Sequence, residues 1–164
     1  EKLARGEFAA LILAEAGVER LGIVPPNAVR LPFVAAAGQG AIALELSSAL
    51  EGSRLMEAAR ALNHLPTWYE TTAERELLRL MGLGCTCPIG VRGAWRDGAM
   101  ELEAELYSIE PKENQADERV RMKTSGHVAS EDDAKELAAL LWEGMRELSL
   151  LRELPRGAGD APCR

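Results

Sequence analysis

A glycine-rich segment, Gly82-Leu-Gly-Cys-Thr-Cys-Pro-Ile-Gly90, constrains the fold of this chain more than any other feature. Glycine adds backbone freedom, and proline removes a hydrogen-bond donor, so most of the segment cannot join a helix or a strand. We therefore predict a loop here. The loop separates a helical pattern that ends at about Met81 from a series of strand patterns.

The part of the chain after this loop has the pattern of a small sheet covered by a helix. Strands are predicted from Arg92 to Trp95, from Glu101 to Ile109 and from Val120 to Val128, and the middle one alternates apolar residues with glutamates. Ser130 followed by Asp133 resembles a capping box. The helix it would begin has an apolar stripe at helical spacing, formed by Leu137, Leu140, Leu141, Met145 and Leu148.

The part of the chain before the loop mixes short apolar runs with helical patterns. Phe8 to Ala14 and Ala41 to Leu46 are each typical of a strand buried on both faces, although the first could also be a buried helix segment. A helix is predicted from Ser53 to Leu62. After Pro66 breaks that pattern, Thr67 and the glutamate three residues later have the form of a capping box.

The order of these elements predicts an α/β region followed by an α+β region, with a boundary near residues 63–66. The first region has too few strands to close a hydrophobic core by itself. Its apolar strands therefore need another chain segment to cover them, and we expect residues 1–60 to be poorly packed or to associate with another chain.

Composition and charge exclude several classes of protein. The chain has 164 residues, of which 47% are hydrophobic and 27% charged, which is typical of a globular protein. No apolar run reaches the roughly 20 residues that a membrane helix needs. The formal net charge of −7 argues against nucleic-acid binding. Three cysteines in no disulfide-rich pattern suit a reducing compartment, so a cytoplasmic location is expected.

Two motifs suggest chemistry but fit it poorly. Gly38-Gln39-Gly40-Ala41 has the letters of a dinucleotide fingerprint, yet the residues after it are predicted to form a strand instead of the required helix, which favours a tight interdomain turn. Cys85-Thr86-Cys87 could be a metal or redox pair, or simply two loop thiols. A structural zinc site needs about four ligands, and the remaining candidates, His64, His127 and Cys163, are scattered. No metal site is predicted.

Four motifs, taken in order, resemble porphobilinogen deaminase (hydroxymethylbilane synthase). Ala73-Glu74-Arg75, a helical segment and Gly84-Cys85-Thr86-Cys87-Pro88-Ile89-Gly90 resemble that family's signature without a gap. Three further matches lie upstream in the family's order: Gly6-Glu7-Phe8, the stretch from Leu13 to Gly22, and Gly38-Gln39-Gly40-Ala41 with Glu45. The resemblance covers residues 6–90 by motif and extends to about Leu150 by the pattern of strands and helices.

The resemblance implies that this chain is the C-terminal part of a three-domain enzyme. Residues 1–33 would finish the second domain, and residues 34–62 would return to the first. Residues 63–154 would form the third domain, which carries the cofactor, and residues 155–164 a flexible tail.

The resemblance also implies a transferase. The family joins four porphobilinogen molecules head to tail, with release of ammonia, on a cysteine-linked dipyrromethane, and supplies tetrapyrrole and heme biosynthesis. The family's catalytic aspartate belongs to an N-terminal half that this sequence does not contain. The isolated chain is therefore expected to be inactive, and its expected partners are that N-terminal half, porphobilinogen and the growing oligopyrrole.

The family match assigns site residues one by one. Cys85 matches the cysteine that forms the thioether, and a thiolate is a suitable nucleophile for the electrophilic methylene that loss of ammonia creates. Arg20 and Arg75 match arginines that bind pyrrole carboxylates, and both are expected to face one pocket; otherwise each is a surface or helix-capping arginine. Three small residues are also assigned to the cofactor site: Gly84, Ala14 and Gly17.

The chain departs from the family pattern at three places. Leu46-Ser47 replaces a Cys-Arg pair, so one anion-binding arginine is missing, and Leu83 and Ala9 replace a glycine and an aspartate. An alternative function follows from the first change. The chain could be a non-catalytic binding or assembly domain that keeps the third-domain fold without the pyrrole chemistry.

Overall fold

The structure, a computed structural model, describes residues 2–25, 27–82, 87–108 and 119–148. The chain forms two compact units, Glu1–Pro32 and Phe33–Arg164. The finer division into parts of three enzyme domains and a tail stays a prediction. Residues 155–164, which were expected to form that tail, lie outside the described residues.

The first unit contains one short helix, α1 (Glu15–Arg20), and no strand among its described residues. The strand expected from Phe8 to Ala14 is therefore wrong. Its apolar side chains are exposed instead, Ile12 at 76% and Leu13 at 64%. An apolar strand needs neighbouring strands to take up its backbone hydrogen bonds, and the described residues of this unit offer none.

The second unit begins with irregular backbone and then becomes helical. The strand expected from Ala41 to Leu46 is also wrong for the same reason, and Ile42 and Leu44 are exposed. A 3-10 helix (Ser48–Leu50) precedes α2 (Arg54–Ala61), which confirms the helix predicted there. Ser53 caps α2, because its hydroxyl accepts a hydrogen bond from the Met56 N–H at 3.2 Å.

Helix α3 (Leu65–Met81) ends where the sequence predicted but begins two residues earlier than Thr67. His64 is the N-cap, and its Nδ1 accepts from the Thr67 N–H at 3.4 Å. Pro66 does not break the helix, because proline is tolerated in a first turn whose N–H groups have no helical partner. Gly82 ends the helix with φ of 64°, in the left-handed region that favours glycine.

The sheet is antiparallel in the order β1-β2-β3, which confirms the predicted three strands. Their bounds are β1 (Ile89–Arg96), β2 (Ala99–Tyr107) and β3 (Arg119–Gly126), followed by α4 (Glu131–Met145). Ser130 caps α4 as predicted, with its hydroxyl accepting from the Asp133 N–H at 3.2 Å. The expected end of the second strand at Ile109 lies outside the described residues.

The core lies between one face of the sheet and the helices α3 and α4. The central strand β2 contributes four fully buried apolar side chains to this core, and the helices contribute small and branched apolar residues such as Ala73, Leu77, Ala138 and Leu141. Burying one leucine of this kind stabilises the fold by about 1.5–3 kcal/mol. The opposite face has ion pairs between β2 and β3: Glu103 with Arg121, Glu101 with Lys123 and Glu105 with Arg119.

The free edge of β1 is closed by acceptors from outside the sheet. Two alternate edge N–H groups, those of Val91 and Gly93, donate to the Ala35 carbonyl and the Glu74 carboxylate. One turn earlier on α3, burial raises the pKa of Glu70, and the nearby backbone of Trp95 opposes this rise. The spacing of the two carboxylates suits this arrangement. Four residues of helix rise about 6 Å, and two residues of strand rise about 6.6 Å.

Helix α3 can approach β1 this closely only because Gly93 has no side chain. A Cβ at Gly93 would lie 2.9 Å from the Cα of Glu70, which is helix backbone and cannot turn aside. We expect Gly93→Ala to lower the free energy of unfolding by about 1–3 kcal/mol, because the helix must move off the sheet. Urea denaturation measures this change.

The matched control for this substitution is Gly144→Ala in α4. The added methyl would lie 3.1 Å from the end of the flexible Met122 side chain, which can move, and alanine favours the helix. This variant should be as stable as the unmodified chain or slightly more stable. Equal losses of stability in the two variants would contradict the close-approach explanation.

Candidate functional site

The segment predicted to hold the cofactor lies between α3 and β1. Residues 83–86, which include the predicted site residues Gly84 and Cys85, lie outside the described residues. The end of the segment is held by backbone hydrogen bonds. The Cys87 carbonyl accepts from the Ile89 N–H at 2.8 Å, and the Pro88 carbonyl accepts from the Tyr107 N–H at 3.0 Å. Cys87 itself is a free, half-buried thiol.

Three consecutive residues of α3 point in three directions, because successive helical residues are rotated by about 100°. Ala73 is fully buried in the core, and Glu74 faces the edge of β1. Arg75 is exposed and makes no ion pair with any residue in the described part of the chain. Arg75 is therefore available to an anion from outside the fold.

Glu74 joins two backbone segments that are distant in sequence. Its Oε1 accepts from the Gly93 N–H at 2.7 Å and its Oε2 from the Gly38 N–H at 2.6 Å. The side chain is only 7% exposed. Burial raises the pKa of Glu74, and the two N–H groups and Arg92 oppose this rise. The Ala73-Glu74-Arg75 motif therefore contains two residues of interest. Arg75 was predicted to bind carboxylates, and Glu74 joins two backbone segments through hydrogen bonds.

The Gly38-Gln39-Gly40 motif forms a turn, as the sequence favoured. Gly38 and Gly40 have φ of 71° and 95°, values that residues with a side chain rarely adopt. The Ala41 N–H donates to the Gly38 carbonyl at 3.2 Å, and Gln39 is exposed. The helix that a dinucleotide fingerprint requires does not follow in residues 41–46.

Glu105 is a buried carboxylate in β2, the strand whose glutamates alternate with apolar residues. It is fully buried, and its Oε2 accepts from the Val34 N–H at 2.7 Å. Arg119 lies 3.4 Å from its other oxygen. The only sequence signal for this burial is Gly90, which pairs with Glu105 in the sheet and leaves room for the Val34 backbone.

The remaining predicted site residues belong to the first unit. Ala14 precedes α1, and its carbonyl accepts from the Val18 N–H at 3.3 Å. Gly17 has open space around its Cα. Arg20 is the last residue of α1 and is exposed. A shared pocket for Arg20 and Arg75 stays a prediction.

The described residues contain no group of three or more His, Cys, Asp or Glu side chains that could hold a metal ion. His64, one of the scattered candidates, is the N-cap of α3. Among the helices that the structure describes, none has the length and apolar character needed to span a bilayer.

Two models of one protein family match this chain. Residues 1–54 match the model described as porphobilinogen deaminase, dipyromethane cofactor binding domain. Residues 68–147 match the model described as porphobilinogen deaminase, C-terminal domain. The second match contains α3 from its fourth residue onward, the strands β1, β2 and β3, and α4.

Curated relatives from distant organisms carry the same name. The chain is 38% identical over 115 residues to the porphobilinogen deaminase of Desulforudis audaxviator, an alignment that covers 68% of this chain and 37% of the relative. It is 34% identical over 155 residues to that of Chlorobium phaeobacteroides, covering 90% of this chain and 48% of the relative. A probable porphobilinogen deaminase of Methanothermobacter thermautotrophicus is 40% identical over 112 residues, covering 66% of this chain and 38% of the relative.

The chain thus spans between about a third and a half of the length of these relatives. The two model matches follow one another in the order of the sequence motifs and include the four motifs that carry the resemblance. The chain belongs to the porphobilinogen deaminase family.

Proposed function

We propose that this chain is the C-terminal part of a hydroxymethylbilane synthase and carries that enzyme's dipyrromethane on Cys85. The whole enzyme would condense four porphobilinogen molecules head to tail, with release of ammonia, for tetrapyrrole and heme biosynthesis. One observation carries the proposal. The segment with Cys85 connects α3 and β1, and these two elements are joined by the hydrogen bond from the Gly93 N–H to Glu74. The same helix carries Arg75, which has no acidic partner among the described residues.

The dipyrromethane would supply the anchored pyrrole end on which the product is built. A cysteine in a glycine-flanked loop suits its attachment, because a thiolate is a soft nucleophile and the loop lets it reach the attacked carbon. Both ends of that loop are held by the fold. Helix α3 ends at its C-cap, Gly82. Strand β1 begins at Ile89, and the carbonyl of the preceding Pro88 accepts a hydrogen bond from the Tyr107 N–H of β2.

The pyrrole side chains require cations, and Arg75 fits that requirement. Each pyrrole carries an acetate and a propionate, and guanidinium groups bind carboxylates through paired hydrogen bonds. Arg79 also lies on α3, but its guanidinium is occupied by Glu76 through two hydrogen bonds of 2.6 and 2.7 Å. Arg75 is therefore the better carboxylate ligand of the two, and Arg20, with Ala14, Gly17 and Gly84 around the cofactor, completes the proposed set.

We place the catalytic aspartate in the other half of the enzyme. The exposed apolar side chains of the early segments, such as Ile12, Leu13, Ile42 and Leu44, support such a partner, because exposed apolar surface of this kind is usually covered in an assembly. The proposed partners are that N-terminal half, porphobilinogen and the growing oligopyrrole, and the proposed compartment is the cytoplasm.

The alternative function, a binding or assembly domain without pyrrole chemistry, was suggested by Ser47 in place of an arginine. Ser47 has a local role instead. Its hydroxyl caps the 3-10 helix by accepting from the Ala49 N–H at 3.3 Å. This contact accounts for the serine without requiring a new function, so the transferase is preferred.

Intact mass spectrometry tests the attachment residue. The chain purified from cells that make porphobilinogen, together with the N-terminal half, should show an added mass equal to two linked pyrroles. Cys85→Ser should abolish the addition, because the thioether sulfur is gone. Cys87→Ser is the matched control and should keep it. Modification of Cys87 alone would refute the assignment, and no addition in any form would favour the binding-domain alternative.

Substitution of Arg75 tests the carboxylate site. Arg75→Leu should lower cofactor retention or pyrrole elongation by about tenfold or more, because a hydrogen bond to a charged group contributes about 1.5–3 kcal/mol. The elongation rate of the assembled enzyme and the loaded fraction by mass measure this loss. Arg79→Leu, which removes a cation already paired with Glu76, should leave both quantities unchanged. Equal losses in the two variants would show that general charge matters and not the Arg75 site.

Hydrogen exchange tests the need for an N-terminal half. The isolated chain should exchange rapidly over residues 8–33 and 39–46, and slowly over α3, the sheet and α4, because only the latter region has a closed core. Residues 34–38 are left out of the first group because the Val34 and Gly38 N–H groups donate to Glu105 and Glu74. It should also fail to convert porphobilinogen. Addition of an N-terminal half should restore some activity and protect residues 8–46. A chain that is monomeric, active and protected throughout without that half would disprove the proposal.

A further inference from the structure

We propose that Glu74 and Glu105 are positioning residues that hold residues 34–38 against α3 and the start of β1, the two elements that the cofactor loop connects. This inference rests on the proposed function, because it assigns the two carboxylates to the assembly of the same site. Neither residue would touch the cofactor. Each would act through the backbone that it holds.

The first step is that residues 34–38 have no regular structure of their own and are held from outside. Val34 donates its N–H to Glu105, and Gly38 donates its N–H to Glu74. Between them, the Ala35 carbonyl accepts from the Val91 N–H at 2.9 Å. Two of these three hydrogen bonds therefore depend on buried carboxylates from other elements, one from α3 and one from β2.

The second step is that a carboxylate suits the Glu74 position better than an amide of the same shape. Glu74 accepts one N–H on each oxygen, from Gly38 and from Gly93. A glutamine would keep one acceptor but would present an NH2 group to the other N–H, so that two donors would face each other. The bridge between residues 34–38 and β1 thus depends on two acceptor oxygens.

The third step is that the two anchors act on the two elements that the cofactor loop connects. Glu74 lies on α3, eight residues before Gly82 ends that helix, and joins it to Gly38. Val34 lies on Gly90 in β1, the residue that ends the glycine-rich segment, and a Cβ at Gly90 would collide with the Val34 carbonyl oxygen. Release of residues 34–38 would therefore remove a contact from α3 and a contact from the start of β1.

Matched substitutions test the proposal in the chain as it exists. Glu74→Gln and Glu105→Gln keep the size of each side chain but remove an acceptor, and Glu143→Gln, at an exposed ion pair with Arg146, is the control. Amide exchange at residues 34–38 should become about tenfold faster or more in the first two variants. It should stay unchanged in the control.

Alkylation of the half-buried Cys87 thiol reports on the loop. It should become faster in Glu74→Gln, while Cys163 in the same chain provides the reference rate. Glu74→Asp distinguishes hydrogen bonding from packing. It keeps two acceptor oxygens on a shorter side chain, so it should retain more protection at Gly38 than the isosteric Gln variant, whereas a role in packing alone would reverse that order.

In the enzyme assembled with its N-terminal half, Glu74→Gln should also lower the fraction of chain that carries dipyrromethane by about tenfold. Unchanged exchange at residues 34–38, or faster exchange with unchanged Cys87 alkylation, would overturn the proposal. Failure of the proposed function would appear differently, as absence of the cofactor from the unmodified enzyme. The exchange and alkylation measurements would still decide whether the carboxylates position the loop.

Discussion

The edge of β1 imposes the constraint on which the rest of the described fold depends. Its outward N–H groups need acceptors, since an unpaired buried N–H costs about 1–3 kcal/mol. In place of another strand, the fold uses the carbonyl of residue 35 and the Glu74 carboxylate of α3, and a second glutamate of that helix, Glu70, lies near the Trp95 backbone. This solution fixes the helix lengthwise against the sheet. It also holds residues 34–38 in place, because the second carboxylate oxygen of Glu74 accepts a hydrogen bond from the Gly38 N–H.

Much of the region after residue 63 was predictable because its signals are local. A serine before an acidic turn, a glycine after the last helical residue and strict alternation in β2 each determine the structure of their own neighbourhood. The start of α4, the end of α3 and the presence of three strands agree with these signals. The strand bounds agree less well, because β1 begins at Ile89, within the predicted loop, and β3 ends at Gly126 instead of Val128. The start of α3 was misplaced because histidine is an uncommon cap. The strands at residues 8–14 and 41–46 failed because an apolar run forms a strand only beside partners, which local sequence does not supply.

Only part of the candidate site can be compared with the sequence, because Gly84 and Cys85 lie outside the described residues and their assignment stays a prediction. The family motifs locate Cys85 and Arg75 on either side of the end of α3, and the turn at Gly38-Gln39-Gly40 follows from its glycines. The roles of Glu74 and Glu105 were not predictable, because each depends on a backbone N–H from 36 or 71 residues away in the chain. The alternation in β2 does not indicate that Glu105 is buried. The Val34 backbone covers it beside Gly90, its partner in the adjacent strand.

The opposite edge of the sheet, formed by β3, protects its unpaired backbone N–H and C=O groups in a different way. β3 has no neighbouring strand beyond it among the described residues, and its outer face carries Arg119, Arg121 and Lys123 in alternate positions. A second copy that extended the sheet there would have to pack its strand beside these long charged side chains and disturb their ion pairs with the glutamates of β2. Natural sheets use charged edge residues to prevent edge-to-edge pairing. The chain can therefore expose apolar side chains in its early segments while the β3 edge of its sheet remains a poor template for fibrils.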